Sequence, residues 1–214
     1  MPNTNPNKTL PIQNHPQPAN RVEEKGGFDT KSDLEIWRDF KRGNESAFTY
    51  IYQQYFKKLY RYSSQFIEDT ELIKDCIQDL FIALRKNRKN LSDTTSIKLY
   101  LFKSIKRKVI ATSKRLLTNS SSYYKYAGYD FKVVLSTEHL MINRQLEEEK
   151  RIQLNQALKK ISKRQREAIY YYFYENMSYP QVMEMMELKS VKSARNLVYK
   201  ALKVLKLEVD LPRP

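Results

Sequence analysis

Glycine, cysteine and histidine are scarce in this sequence, and each scarcity excludes a class of fold or site. Only 4 glycines occur among the 214 residues, too few for a fold with many tight turns or for a glycine-rich phosphate loop. The single cysteine, Cys76, excludes an intramolecular disulfide. Neither a CxxC pair nor an HExxH motif occurs, and His15 and His139 stand apart. We therefore predict no metal, no cofactor, no small-molecule substrate and no catalytic activity.

Long apolar segments are also missing. No run approaches the roughly 20 apolar residues that a membrane span needs. The N-terminus is polar and proline-rich and contains no apolar stretch of the kind that a signal peptide has. These patterns predict a cytoplasmic protein.

Helix-favouring residues and positive charge are what the chain has in excess. Leu, Lys, Arg, Glu, Gln and Ile dominate, and alternating β-branched runs are absent, so the predicted fold class is all-α. The net charge is +15, typical of a protein with an anionic partner. Residues 31–116 carry 19 basic and 10 acidic residues, and residues 150–214 carry 14 and 6, whereas residues 117–149 carry 3 and 5. This partition predicts two small nucleic-acid-binding domains on a tether.

Capping signals divide the first basic block into four helices, which we assign to one domain at residues 31–116. Residues 1–30 hold five of the eight prolines and are predicted to be a disordered tail. Ser32 and Glu35 have the spacing of a capping box, and Gly43 suits the position after a helix. The caps predicted for the next three helices are Asn44, Asp69 and Asp93.

A polar, serine-rich stretch begins a predicted flexible linker at residues 117–136, and a second helical domain follows at residues 137–214. Ser162 and Ser178 each begin a further capping box. A short helix from about 179 to 187, a tight turn, and a basic helix that Ser190 caps together predict a helix-turn-helix unit.

The last helix has one apolar face and one polar, basic face. Such a polar face suits a major groove, with side chains for base edges near the helix start and lysines for phosphates later. The alternative is an ordinary solvated face. We name this surface the duplex face; its residues are Ser190, Lys192, Ser193, Arg195, Asn196, Tyr199, Lys200 and Lys203.

The third helix has an acidic face within a basic domain. An acidic face cannot help to bind DNA. We name it the acidic ribbon; its residues are Glu71, Asp75, Gln78 and Asp79, with Phe81 on the flank and Ile82 at the centre. An apolar side chain among acids suggests a protein partner with a basic, partly apolar surface. Ordinary solvation with one stray isoleucine is the alternative.

The fourth helix carries cations and one aromatic ring opposite its apolar face. This combination suits a DNA strand backbone and an unpaired base. We name it the single-strand face; its residues are Tyr100, Lys103, Lys106, Arg107 and Lys114. The loop before this helix adds the donors Asn87, Arg88, Lys89 and Asn90.

The first domain contains motifs that resemble those of extracytoplasmic-function sigma factors, small promoter-recognition subunits of bacterial RNA polymerase. The segment Gly43-Asn44-Glu45-Ser46-Ala47-Phe48 resembles the family's opening G-D-E-x-A-F. The segment Asp75-Cys76-Ile77-Gln78-Asp79-Leu80-Phe81 resembles the core-binding helix, D-x-x-Q-[DE]-x-F. The segment Leu101-Phe102-Lys103-Ser104-Ile105-Lys106-Arg107 resembles W-L-F-x-I-A-R, at the start of the helix that engages the −10 element.

The second domain continues the resemblance, with Arg164-Gln165-Arg166-Glu167, Ser178-Tyr179 and Ser190-Val191-Lys192-Ser193 similar to motifs of the −35-binding domain. The resemblance implies a region 2 domain at 31–116, which docks on core polymerase through the acidic ribbon and captures the opened −10 strand on the single-strand face and its loop. It also implies a region 4 domain at 137–214, which reads the −35 duplex. Core RNA polymerase and promoter DNA are thus the expected partners. Whether a membrane-bound anti-sigma protein is another partner stays open.

Two other functions fit parts of the pattern. A stand-alone helix-turn-helix regulator would bind duplex DNA without polymerase, but would not need the acidic ribbon. A basic adaptor protein with no role on DNA would leave the duplex face unexplained. Co-purification with core RNA polymerase separates these alternatives.

Overall fold

The computed structural model describes residues 27–118, 131–133 and 144–208. Within these ranges the chain is helical and contains no strand, so the predicted all-α class is confirmed. A 3-10 turn, Arg88–Asn90, follows the third helix, and a π-helical turn, Tyr170–Tyr174, follows the sixth. The eight α-helices are α1 Asp33–Lys41, α2 Glu45–Ser63, α3 Thr70–Asn87, α4 Ile97–Thr118, α5 Arg144–Lys160, α6 Lys163–Ile169, α7 Tyr179–Met185 and α8 Val191–Glu208.

Most of the predicted caps form. At the start of α1 the Glu35 amide donates to Ser32 Oγ over 3.3 Å, and the Ser32 amide donates to Glu35 Oε2 over 2.8 Å. The side chains of Asn44 and Asp69 accept amide hydrogen bonds at the starts of α2 and α3. Reciprocal capping boxes also begin α6 and α7 at the predicted serines. Each cap satisfies amide groups that the helix itself leaves without an acceptor.

The predicted cap of α4 is wrong. Asp93 lies before an extended segment and pairs with Arg38 at 2.9 Å and Lys41 at 2.7 Å, both on α1. The helix begins four residues later, at Ile97, whose amide donates to Asp33 Oδ2 over 2.7 Å. Ser96 caps the helix, because its Oγ accepts from the amide of the third helical residue over 3.2 Å. The carboxylate at the start of α1 satisfies the first amide in addition, a contact that depends on tertiary packing.

Helices α1 to α4 enclose one apolar core. Trp37 is fully buried, and its indole Nε1 donates to the Ser92 carbonyl over 2.9 Å. The predicted inner face of α4 is buried throughout. Its residues are Ile97, Leu101, Phe102, Ile105 and Val109. The inner face of α3 is buried along most of its length, which leaves the acidic ribbon on the surface.

Helices α5 to α8 form the second half. α8 packs against α5, α6 and α7 and buries Ala194, Val198, Ala201 and Leu205. The first two turns of α5 have described backbone only. Because one face of α8 is fixed in this core, the opposite face points outward.

The two halves share a buried contact zone, which we name the seam. Its residues are Arg61, Tyr62, Lys98, Phe102 and Lys106 from the first half, Phe131, and Glu167, Tyr170, Tyr171 and Glu175 from the second. Phe131 is fully buried, with its ring 5.1 Å from that of Phe66 and 5.4 Å from that of Tyr170. Part of the predicted linker thus lies in the seam. The rest of the predicted linker, except residues 117 and 118 of α4, lies outside the described residues, as does the predicted tail up to residue 26.

Candidate nucleic-acid interface

The duplex face of α8 is exposed along its length. The side chains of Lys192, Arg195, Asn196, Lys200 and Lys203 are exposed, and Tyr199 is 68% exposed. At the helix start Ser190 Oγ accepts a hydrogen bond from the Ser193 amide over 3.2 Å. The structure thus brings together the residues predicted for this face, with serine, asparagine and two charged side chains in the first turns and lysines later, an arrangement that suits a duplex.

Arg195 is held by an aromatic stack that the sequence did not reveal. Its guanidinium carbon lies 5.3 Å from the centre of the Tyr179 ring. The Tyr179 ring stacks on Tyr172 with centroids 4.5 Å apart and planes inclined by 19°. Cation–π contact of this kind restrains an otherwise flexible side chain. Tyr172 and Tyr179 therefore position Arg195 at the edge of the duplex face.

The turn between α7 and α8 places Glu187 in a left-handed conformation, with φ of 52°. The Leu188 amide then donates to the Met183 carbonyl over 2.9 Å, which closes the end of α7. A helix-turn-helix unit needs a sharp change of direction here, and glycine commonly supplies it. In this chain a glutamate bears that backbone strain.

The acidic ribbon is exposed, with one exception. Asp75 and Gln78 are exposed, and Ile82 is 43% exposed. Glu71 pairs with Lys74, and Asp79 pairs with Lys108 of α4 at 2.9 Å. The placement of Phe81 on this surface is wrong: its side chain is only 3% exposed.

Phe81 is buried because three aromatic rings meet between α2 and α3. Its ring lies 4.9 Å from that of Tyr52 and 6.1 Å from that of Phe48. A large ring on the flank of a helix gains more by burial between two helices than by facing water. Phe81 therefore supports the ribbon from within.

The loop before α4 does not join the single-strand face. Arg88, Lys89 and Asn90 line an open depression beside Ile82, next to the acidic ribbon. Arg88 pairs with Glu45 at 2.9 Å, and its guanidinium covers Gly43, where an added Cβ would lie 3.2 Å from Nη2. Asn87 is the last residue of α3, and its side-chain amide donates to the Ala83 carbonyl of the same helix. The loop thus lines a different depression from the one that the cations of the single-strand face line, and its role in strand binding stays a prediction.

Tyr100 packs inside the first half. Its ring lies 4.9 Å from that of Trp37, with planes inclined by 56°, and it is only partly exposed. The Trp37 ring thus covers part of Tyr100, and the role of this ring in base stacking stays a prediction.

The cations of the single-strand face meet glutamates of the second half. Lys103 Nζ lies 2.8 Å from Glu184 Oε1 on α7, and Lys106 Nζ donates to Glu167 Oε1 on α6. Arg107 lies 3.9 Å from Glu187. Lys114 lines the same cleft, which has a volume of about 500 Å³ between α4 and the second half. These cations are therefore brought together, but against protein carboxylates.

A polar network in the seam continues inward from Lys106. Glu167 Oε1 also accepts from the Tyr171 hydroxyl over 2.8 Å, and that hydroxyl lies 2.5 Å from the Tyr62 hydroxyl of α2. Burial is the main cause that raises the pKa of Tyr171 well above its usual value, with Tyr62 and Glu167 acting in the same direction. The hydroxyl therefore stays protonated and can keep donating.

A second buried carboxylate anchors the other end of the seam. Glu175 is 3% exposed and receives Arg61 at 3.3 Å, Lys98 at 2.9 Å and the Tyr170 hydroxyl at 3.1 Å. The sequence analysis missed Glu167 and Glu175. The signal was the spacing of Glu167 and Tyr171, because side chains four residues apart lie on the same face of a helix.

The described residues contain no candidate metal site. Within them no group of three or more His, Cys, Asp and Glu side chains lies close enough to hold an ion. His15 and His139 lie outside the described residues. Cys76 is buried, and burial raises the pKa of its thiol, as expected for a core residue.

No helix in the described ranges has the length and apolarity that crossing a membrane requires.

No protein-family model and no curated protein sequence matches this chain. Solved structures do match it in fold. CnrH, in complex with the cytosolic domain of CnrY, is 17% identical with a TM-score of 0.56, and the match covers 86% of this chain and all of that one. The sigma factor RpoE, in complex with the anti-sigma factor NepR from Bartonella quintana, is 14% identical with a TM-score of 0.55. The match covers 78% of this chain and 98% of the RpoE chain. The chain therefore has the fold of extracytoplasmic-function sigma factors.

Proposed function

We propose that this protein is a sigma factor, which binds core RNA polymerase in the cytoplasm and directs it to promoters by contacting the −35 duplex and the melted −10 strand. The observation that carries the proposal is the duplex face of α8, an exposed polar and basic face on a helix that follows α7 after a sharp turn and whose inner face is buried. The fold adds weight, because the chain aligns with all of CnrH and nearly all of RpoE.

Each proposed contact has its own surface. The acidic ribbon, with Asp75 and Ile82 exposed, suits a basic, partly apolar surface on polymerase. The duplex face suits a major groove, and the cations of α4 suit a strand backbone. The protein supplies no chemistry of its own in this proposal; polymerase carries out synthesis. The division into domains at 31–116 and 137–214 remains part of the proposal.

An anti-sigma protein is a further proposed partner. RpoE was solved with an anti-sigma factor, and CnrH with the cytosolic domain of CnrY. The seam leaves the acidic ribbon and the duplex face open to such a partner in the described part of the chain.

Run-off transcription with purified core polymerase on genomic fragments tests the function. We expect discrete transcripts that depend on the added chain, and a fall in their yield when Lys192 and Asn196 are both changed to Ala. The matched control changes Lys57 and Gln54, exposed on α2 far along the chain from the duplex face, to Ala and should leave the transcripts unchanged. A chain that binds duplex DNA tightly but yields no transcripts with core polymerase would support a stand-alone regulator instead.

A further inference from the structure

Three cations of the single-strand face are occupied by three glutamates of the second half. Lys103 faces Glu184, Lys106 faces Glu167, and Arg107 faces Glu187. A carboxylate on an ammonium or guanidinium group takes the place that a phosphate oxygen of DNA would take. A strand cannot bind Lys106 while Glu167 holds it, and at Lys103 and Arg107 the neighbouring glutamates repel its phosphates.

The three contacts differ in burial, which identifies the one that holds the halves together. The side chains of Lys106 and Glu167 are 16% and 3% exposed, and the Tyr171 and Tyr62 hydroxyls extend that pair into the core. Breaking a buried pair leaves an uncompensated charge, whereas exposed pairs contribute little. Glu184 and Glu187 are 52% and 79% exposed. Among these three glutamates Glu167 is therefore the anchor, beside Glu175 at the other end of the seam, and the outer two mainly neutralise the cations at the rim.

The closed contact covers one proposed DNA surface and leaves the others open. Asn196 and Lys200 on the duplex face are exposed, and so is Asp75 on the acidic ribbon. Tyr100, the only ring of the single-strand face, lies against Trp37. A closed chain can therefore dock on a protein partner or a duplex while it cannot take a single strand.

We propose that this closed arrangement is an autoinhibited state, in which Glu167, Glu184 and Glu187 occupy the single-strand face as substitutes for DNA phosphates. The identity of the excluded ligand rests on the proposed function; the contact between the halves does not. The strand binds only after the halves separate, so its apparent affinity falls in proportion to the fraction of open chains. Release of the strand face thus becomes a step that a docked partner can drive.

The test compares two full-length variants that remove the same charge. The release variant is Glu167→Gln, Glu184→Gln, Glu187→Gln, in which each amide keeps the size of the carboxylate. The control is Glu71→Gln, Asp75→Asn, Glu208→Gln; Glu71 and Asp75 lie on the exposed face of α3, and Glu208 pairs with Lys160 at the end of α8. Small-angle scattering measures the dimensions, and the anisotropy of a labelled single-stranded oligonucleotide measures strand affinity without polymerase.

We expect the release variant to expand and to bind the strand at least about tenfold more tightly than wild type, as a closed state populated above about 90% requires. The control should stay compact and gain less than about threefold from its altered charge alone. Equal gains in the two variants, or expansion without tighter binding, or tighter binding without expansion, would overturn the proposal.

A second variant guards against a folding defect at the buried anchor. Glu184→Gln with Glu187→Gln changes only exposed side chains, and it should move both measurements in the same direction by a smaller amount. Run-off transcription separates the two proposals. Transcripts from wild type, together with no gain in strand binding by either variant, would refute autoinhibition and leave the sigma-factor function standing. Expansion with tighter strand binding, but no transcripts from wild type or any variant, would support the closed state and refute the sigma-factor function.

Discussion

The hydroxyl groups of Tyr62 and Tyr171 lie 2.5 Å apart in the interior, although 109 residues separate them in the sequence. Both side chains are fully buried, and Tyr171 also donates to Glu167. One hydrogen-bonded chain therefore runs from α2 through the π-helical turn to α6 and out to Lys106 of α4. Buried polar chains of this kind stabilise a fold only when every member is satisfied.

Replacing Tyr171 by Phe should test this chain. The change removes the hydrogen bond between the two hydroxyls and takes one donor from the buried Glu167, so we expect the free energy of unfolding to fall by about 1–3 kcal/mol. Chemical denaturation followed by circular dichroism measures it. Tyr199→Phe is the matched control, because its ring is exposed, and it should change stability by less than about 0.5 kcal/mol. Equal stability of the two variants would mean that the hydroxyl pair contributes nothing.

Alkaline pH should weaken the protein through the same groups. Burial raises the pKa of Tyr171 and Tyr170 above the usual value of 10, so the folded form keeps protons that the unfolded chain loses. Their contribution to stability is present in full below about pH 10 and is lost as the pH rises towards the folded-state values. Tyr174, with its pKa raised to about 12 by burial, adds to the same trend.

The denaturation midpoint should therefore fall steeply above pH 10 in wild type. In a Tyr170→Phe, Tyr171→Phe variant it should start lower and fall less steeply, because two of the responsible hydroxyls are gone. Identical slopes for the two proteins between pH 9 and 11.5 would assign the alkaline loss to other groups.

The acidic ribbon gives a prediction for polymerase binding. Asp75 is exposed, so Asp75→Lys should leave stability within about 0.5 kcal/mol of wild type. It should weaken association with core polymerase, because the change places a cation against a basic surface. Competition with labelled wild type for core enzyme measures this effect. Glu208→Lys changes the charge equally on the far half and should compete normally; if both variants compete alike, the ribbon is ordinary solvated surface.

Local signals predicted much of this fold, whereas contacts between distant segments were beyond them. Ser32, Asn44 and Ser178 cap helices as their spacing indicates, because a cap depends on three or four consecutive residues. Asp93 and Phe81 were misplaced for the opposite reason. Asp93 is drawn to two cations of α1, and Phe81 to rings of α2. Neither attraction leaves a periodic pattern in the sequence.

The seam escaped prediction for the same physical reason. A helical wheel assigns a lysine opposite the apolar face to solvent or to an anionic partner, and Lys103 and Lys106 fit that rule. What covers them is a second amphipathic unit, with Glu167 and Glu184 matching their positions. Such matching depends on how two helical units dock. The duplex face of α8 was predictable because no part of the described chain covers it.

The aromatic stack beside α8 gives the last prediction. Arg195 lies over Tyr179, which stacks on Tyr172, so the position of the guanidinium is restrained. Arg195→Ala should reduce discrimination at one position of the −35 duplex by about 1–3 kcal/mol, the range of a good base contact. Tyr179→Ala should remove a smaller part of the same discrimination, about 0.5–1 kcal/mol, and Tyr179→Phe should restore it because a phenyl ring still supports the cation.

Lys200→Ala is the contrast for this series. A phosphate contact carries no base information, so its loss should weaken binding to all duplexes alike. It should also reduce the slope of the logarithm of affinity against the logarithm of salt concentration by about 1. Selection from a randomised −35 library, followed by affinity measurements at two salt concentrations, separates the two behaviours. If Arg195→Ala and Lys200→Ala alter the selected sequences equally little, Arg195 contacts the backbone, and the stack then serves to hold the helix-turn-helix unit rather than to select a base.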